Sequence, residues 1–430
     1  MVATKYDFTQ IEIEKTWSFD DKTITDTSYI THGYYTYPAK FIPQLAERLI
    51  KQYSKKGDIV IDPFMGSGTT IVESIVNQRI GIGTDINEIA YLVAKVKTTP
   101  LNSMELLIEL NEIEQYLKGS LNGQFNYFWE RAASIVPKHE RIDYWFKTAQ
   151  KQKLGIILHR ILAIKQIDIK DFYLVTFAQI LKSCSIWLQK SIKPTRDLNK
   201  MDIEPMTQFL YHAKKMLKRQ ATFEKMVALN IKQNIDNQRV IACDDARQLP
   251  CATEKAQLIV TSPPYVTSYE YADLHQLPLL WLGHLDELTA FRKKFIGSSF
   301  KERTEKIDLK SDLANETIHR LKNKKAKEVE TYFADMLEAF QEMKRVLKVG
   351  GKICMVIGNT KFQEVEILNA EVFAEQLESI GFKIYDVICR EIPSKMLPST
   401  RDKETGRFAK TANTDILAYP KEYILIAEKI

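Results

Sequence analysis

The stretch Thr261-Ser262-Pro263-Pro264-Tyr265 follows the apolar run Leu258-Ile259-Val260. Two consecutive prolines donate no backbone hydrogen bonds, so a buried strand must stop there. What remains is a rigid ledge of carbonyl acceptors, with a hydroxyl before it and an aromatic ring after it. Ser262 can accept a hydrogen bond from an amino group, and Tyr265 can stack on a planar base. Together these groups suit the holding of an exocyclic amine by its protons, while its lone pair stays free to attack a methyl sulfonium.

A second set lies upstream, in Asp62-Pro63-Phe64-Met65-Gly66-Ser67-Gly68-Thr69-Thr70. Glycines between an apolar run and a helical pattern permit positive φ, let a ligand approach the backbone, and open onto free helix amides. No lysine follows Gly68, so this is not a phosphate-binding P-loop, and the GxGxxG spacing is absent as well. Asp85 stands 23 residues after Asp62, at the end of the next apolar run. An acid at that place takes ribose hydroxyls in doubly wound folds. The two acids and the glycine turn point to a nucleoside-containing cofactor; S-adenosylmethionine, NAD and FAD all stay open on these residues.

Elements able to position both sets are visible in the hydrophobic pattern. Residues 57–95 read as strand, turn, helix and strand, the unit of a parallel sheet covered by helices. Further strand patterns fall at 239–243, 257–261, 352–359, 382–390 and 422–429. Phe333, Met336, Leu337, Phe340, Met343 and Leu347 mark one helix face, with Gly350-Gly351 as its expected stop, and another helix is expected over 371–380. From about 100 to 235 apolar residues recur at helical spacing with few strand signals. The expected fold is α/β, a doubly wound, mostly parallel seven-stranded sheet with a large helical insertion. That divides the chain into 1–99, carrying the glycine turn, 100–236, the insertion, and 237–430, carrying the proline loop.

The pairing of DPFMGSGTT with TSPPY resembles the amino-group DNA methyltransferases, with their FxGxG cofactor turn and (D/N/S)PPY catalytic loop. The serine form is typical of the cytosine-N4 branch. Further matches are YPAKFIP (37–43), GTDINEIA, CDDARQL, LKVGGKICMVIGN and EYILIAEK, so the resemblance covers roughly 30–98 and 238–430. It implies a Rossmann-like class I methyltransferase that moves a methyl group directly from S-adenosylmethionine to a base flipped out of duplex DNA. Carried over, Ser262, Pro263, Pro264 and Tyr265 hold and cover the base. Asp62, Phe64, Gly66 and Gly68 flank the cofactor, Asp85 takes its ribose, Asp245 its adenine, and Lys40 its carboxylate. A separate cognate restriction endonuclease is an implied partner. Adenine-N6 methylation of DNA and guanine-N2 methylation of RNA are the neighbouring readings, and a binding module with a dead site is a third.

Charge supports a polyanionic partner. The chain carries 61 Lys and Arg against 55 Asp and Glu, a net +6, but residues 151–225 hold 15 basic against 6 acidic and residues 292–327 hold 12 against 5. Basic segments on an otherwise acidic chain fit phosphate neutralisation. The insertion, the stretch 292–327 and the loop 395–410, with Arg401 and Arg407, are the candidates for contact with duplex DNA. No apolar run is long enough to span a membrane and no secretory signal pattern opens the chain, which places it in the cytoplasm. Five scattered cysteines without a CxxC pair give neither a disulfide framework nor a zinc site, and no metal is expected. Pro250-Cys251 lacks the following glutamine of a cytosine-C5 nucleophile loop, so no thiolate mechanism is implied. Trp187 reads as a core residue, and His212 and His275 as structural or polar-surface residues.

Overall fold

The computed structural model describes residues 5–38, 40–191, 193–266, 271–298, 307–322, 324–362, 365–392, 400–401, 408–409, 416–417 and 421–430. Its centre is a seven-stranded sheet built from β1 (Ile59–Asp62), β2 (Ile80–Asp85), β3 (Arg239–Cys243), β4 (Ala256–Thr261), β5 (Leu347–Ile357), β6 (Phe382–Glu391) and β7 (Lys421–Lys429). Their order across the sheet is β3-β2-β1-β4-β5-β7-β6. The pairs from β3 to β5 are parallel, and β7 runs antiparallel to both its neighbours. All seven expected strands are therefore present. Strand order reverses between β1 and β4, whose carboxyl ends lie side by side. This is where open α/β sheets bind ligands, and it is where Asp62 and Ser262 stand.

Alternation along the strands feeds two cores. Ile61, Ile259, Ile353, Met355 and Leu425 face one layer with Phe333, Met336 and Phe340 of the helix Lys324–Val346 and with Phe373 and Leu377 of the helix Asn369–Ser379. Val60, Leu258, Val260, Cys354, Val356, Ile424 and Ile426 face the other, against Leu45, Leu49 and Ile50 of α1 (Pro43–Tyr53). Both faces are covered, which explains why the strands read as unbroken apolar runs. Two expectations shift here. The helix before β5 ends at Val346, and Gly350-Gly351 lies inside β5, where Ala256 pairs with Leu347 but Leu258 pairs with Lys352. Gly350, at φ 76°, lets the extra residues leave the ladder and return. The later helix begins at Asn369, two residues earlier than its apolar pattern.

After β1 comes α2 (Thr69–Val76), and after β2 comes α3 (Glu88–Lys97). Between α3 and β3 the chain is helical, with α4 (Ser103–Leu121), α5 (Thr148–Leu162), α6 (Ile167–Cys184) and α7 (Pro205–Met226) as the long members. Their shared core holds Leu110, Ile157, Phe177 and Met216, and it also takes in Ile89 and Val93 of α3, Tyr34 and Tyr35 near the N-terminus, and Leu277 and Trp281. Trp187 is buried there, stacked on Trp145 at 5.1 Å, as a packing residue should be. The cysteines are free, with Cys184, Cys354 and Cys389 buried. Among the described residues no helix is long and apolar enough to cross a membrane, and no cluster of metal-ligating side chains occurs.

Candidate active site

β1 delivers Asp62 to the centre of the sheet, and its Oδ1 accepts from Phe64 N at 3.1 Å and from Thr261 Oγ1 at 2.6 Å. Thr261 is the last residue of β4 and directly precedes the proline loop. One hydrogen bond therefore ties the glycine turn to that loop. Thr70 Oγ1 adds a second tie, donating to Val260 O at 3.1 Å. In the turn, Gly66 has φ 46° and Gly68 φ 76°. Gly66 N donates to Asp85 Oδ2 at 2.9 Å, and Asn87 N donates to Oδ1 at 3.0 Å. The acid at the end of β2 is thus aimed by backbone amides, and each oxygen keeps a lone pair for a ligand hydroxyl. Beneath the turn, buried Lys97 Nζ donates to Ser67 O at 2.6 Å. Against it lies Tyr37, whose Cε1 would be 3.0 Å from a Cβ at Gly66.

Burial raises the pKa of both Asp62 and Asp85 to about 6, with hydrogen bonds to each carboxylate offsetting part of the rise. Because the folded-state values exceed those of an unfolded chain, both groups contribute stability below about pH 4 that is lost as the pH rises through about 6. A ligand hydroxyl needs the opposite form, the charged acceptor. Affinity for S-adenosylhomocysteine should therefore fall by up to about tenfold per pH unit as the pH drops below about 6, while the protein stays folded. Calorimetric titration across pH checks this. Asp85→Asn should give weak binding that no longer follows that fall.

In the proline loop, Tyr332 Oη donates to Pro264 O at 2.7 Å. Neither Ser262 Oγ nor the Pro263 carbonyl has an intramolecular partner among the described residues. These two acceptors are adjacent at the end of the sheet, on half-buried Ser262 and buried Pro263. The Tyr265 ring packs over Gly358, where an added Cβ would lie 3.3 Å from Tyr265 Cε2. Its hydroxyl donates to Glu422 Oε2 at 3.4 Å, and buried Arg390 pairs with Glu422 Oε1 at 3.5 Å. The ring is thus held at its tip and through its backbone, ready to offer a face.

A family model for DNA methylases of the N6/N4 type matches residues 4–96 and 256–429. The chain belongs to this family. It is a DNA methyltransferase, its substrate is DNA, and S-adenosylmethionine is the methyl donor that membership implies. Over 429 residues, 93% of each chain, it is 25% identical to the type II methyltransferase M.MvaI of Kocuria varians. It is 22% identical over 426 residues to M.BsoBI of Geobacillus stearothermophilus, covering 86% of this chain and 83% of that one. A shorter match, 37% identical over 128 residues, links 29% of this chain to 23% of M.MjaII of Methanocaldococcus jannaschii.

The methyltransferase has a charge pattern that fits its donor. Lys40 Nζ donates to His32 O at 3.1 Å and keeps further protons for a ligand, and burial lowers its pKa to about 8. Burial and the neighbouring Lys40 push Lys97 well below the usual lysine range. Glu73, near Lys97, is bonded by Tyr29 and His32, and burial raises it to about 8. With Glu73 largely protonated at pH 7, Lys40 is the group in this corner that would hold a donor's carboxylate. The glycine turn, Asp85 and this cationic corner fit a nucleoside linked to an amino acid.

Other predicted residues take varied places. Asp245 lies just past β3, where Cys243 pairs with Asp85, and its carboxylate accepts from Arg247 Nη2 at 2.6 Å. Phe64 is half-buried beside the core. His212 is half-buried and bonded to Tyr34 O, and His275 is buried between Tyr35 and Tyr37. Within the basic stretch 292–327, Arg292 is bonded to Asp273 at 2.7 Å, which makes Asp273 a loop anchor. Arg407 and most of the loop 395–410 lie outside the described residues, as does the side chain of Arg401. Sequence reasoning missed Thr261, Tyr37, Lys97, Tyr332 and Glu422. Thr261, Tyr37 and Glu422 lie inside stretches already in view, where the motifs assign them no role; Lys97 and Tyr332 carry no local signal.

Proposed function

We propose that this chain is a site-specific cytosine-N4 DNA methyltransferase, the protective half of a restriction-modification system whose nuclease is a separate protein. The carrying observation is the serine in front of Pro263-Pro264-Tyr265, next to a Pro263 carbonyl that has no partner among the described residues. In this reading Ser262 Oγ and the Pro263 carbonyl accept the two amino protons of a flipped cytosine, and Tyr265 covers its ring. Holding both protons keeps the nitrogen lone pair directed at the methyl group. The bound donor supplies that methyl on a sulfonium, a good leaving group, so no enzyme nucleophile is needed. Asp62, Phe64, Gly66 and Gly68 flank the donor, Asp85 takes its ribose, Asp245 stands by its adenine and Lys40 takes its carboxylate.

The segments 1–99 and 237–430 carry the chemistry, and 100–236 with the stretch 292–327 grips phosphates. The full-length relatives named as type II methyltransferases support the restriction context. Methyl incorporation from labelled donor should go into duplex DNA and not into tRNA. Incorporation into tRNA alone would make the guanine-N2 reading the correct one.

A further inference from the structure

The segment 28–40 meets the glycine turn on one side and the helical insertion on the other. On the turn side, Tyr37 lies against Gly66 and stacks on His275 at 4.6 Å, and Lys40 follows three residues later. On the insertion side its backbone is held by side chains of α6 and α7. Gln179 of α6 accepts from Thr36 N at 2.8 Å and donates to Thr36 Oγ1 at 3.0 Å, a two-point grip. His212 Nε2 of α7 donates to Tyr34 O at 2.8 Å, and Arg219 Nη1 donates to Gly33 O at 2.8 Å. A Cβ at Gly33 would collide with that guanidinium, so the close seat of Arg219 requires glycine there. Gln220, buried, accepts from the hydroxyl of buried Tyr34 and donates to Thr99 O and Leu101 O at 3.1 Å each, tying the same helix to the end of α3. The contacts come from two separate helices and converge on three of four consecutive residues, Gly33, Tyr34 and Thr36. Those helices lie in the part of the chain that the family match does not cover.

We infer that α6 and α7 of the insertion brace the cofactor pocket: Gln179, Arg219 and Gln220 are positioning residues that set Tyr37 against the glycine turn and Lys40 toward the donor's carboxylate. The inference rests on the reading of Tyr37, Gly66 and Lys40 as pocket residues. The insertion then serves two ends, phosphate contact along its basic surface and the shape of the donor site at its base. Gln179 and Arg219 touch backbone groups of the segment and Gln220 holds the Tyr34 hydroxyl, so their loss changes where Tyr37 and Lys40 sit.

The test is calorimetric titration of the full chain with S-adenosylhomocysteine. Arg219→Met should weaken binding about tenfold and Thr36→Val, an exposed and nearly isosteric change, about threefold, each raising KM for the donor while kcat at saturating donor stays near wild type. Tyr37→Ala reports on the pocket itself and should weaken binding about tenfold or more. Unchanged affinity in both Arg219→Met and Thr36→Val, with Tyr37→Ala weakened, overturns the brace and leaves the pocket standing. Unchanged affinity in Tyr37→Ala overturns the pocket reading and the brace with it. Should Arg219→Met fail to fold, Thr36→Val alone decides between these outcomes.

Discussion

Tyr265→Ala should lower kcat for DNA methylation by roughly 10²- to 10³-fold and leave S-adenosylhomocysteine affinity within about twofold of wild type. Base stacking on an aromatic ring is worth about 1–3 kcal/mol, and loss of the ring also frees the base to leave the acceptor pair. The donor site is spared because it is built from the other loop, with Gly66 aimed by Asp85 and Asp62 held by Thr261. Tyr265→Phe keeps the face and loses the hydroxyl contact with Glu422, so its effect should be no more than about tenfold. Ser262→Ala, which removes one of two adjacent acceptors, should cost roughly 10- to 100-fold in kcat. Single-turnover kinetics and calorimetry on each variant separate these expectations. Wild-type turnover in Tyr265→Ala would remove this loop from the catalytic assignment.

Gly68→Val should abolish measurable donor binding and lower the melting temperature substantially. At φ 76° a residue with a Cβ pays about 1–2 kcal/mol, and more for a β-branched one. The added Cβ would also lie 2.9 Å from Ala94 Cβ and 3.1 Å from Ala94 Cα, which is backbone of α3 and cannot swing aside. Overpacking of this kind costs about 1–3 kcal/mol, a large part of the net stability of an ordinary domain. The strain falls at the first turn of α2, which should move relative to β2 and carry the free amides away from Asp85. Gly66→Ala meets a movable neighbour, the Tyr37 ring at 3.0 Å, so it should cost less in melting temperature while still weakening donor binding. Thermal melts paired with S-adenosylhomocysteine titrations check both variants. Equal stability losses at the two positions would contradict the difference between a rigid and a movable neighbour.

Much of the fold was legible because its strands are buried on both faces and so read as short apolar runs, Ile59–Asp62 and Ala256–Thr261 among them. Gly350-Gly351 was misread since a glycine pair that ends a helix and one that lets a strand bulge have the same local conformational demand. The two motif loops were legible because each is a contiguous stretch at a strand end, where backbone and side chain act together. What pins them was not. Tyr332 reaches the Pro264 carbonyl from a helix, Glu422 reaches the Tyr265 hydroxyl from β7, and Lys97 reaches Ser67 from the end of α3. In each case the hydrogen-bond partner is set by sheet order and helix packing, which a linear pattern does not encode. The insertion was legible as helical from its spacing, yet its grip on residues 33–36 depends on how α6 and α7 pack against the N-terminal segment.

The central claim concerns one atom, the exocyclic nitrogen of cytosine. DNA from cells that express this chain, digested to nucleosides and separated by mass, should contain N4-methylcytosine, and the Ser262→Ala strain should lose most of it. N6-methyladenine in its place, with no N4-methylcytosine, would contradict the account.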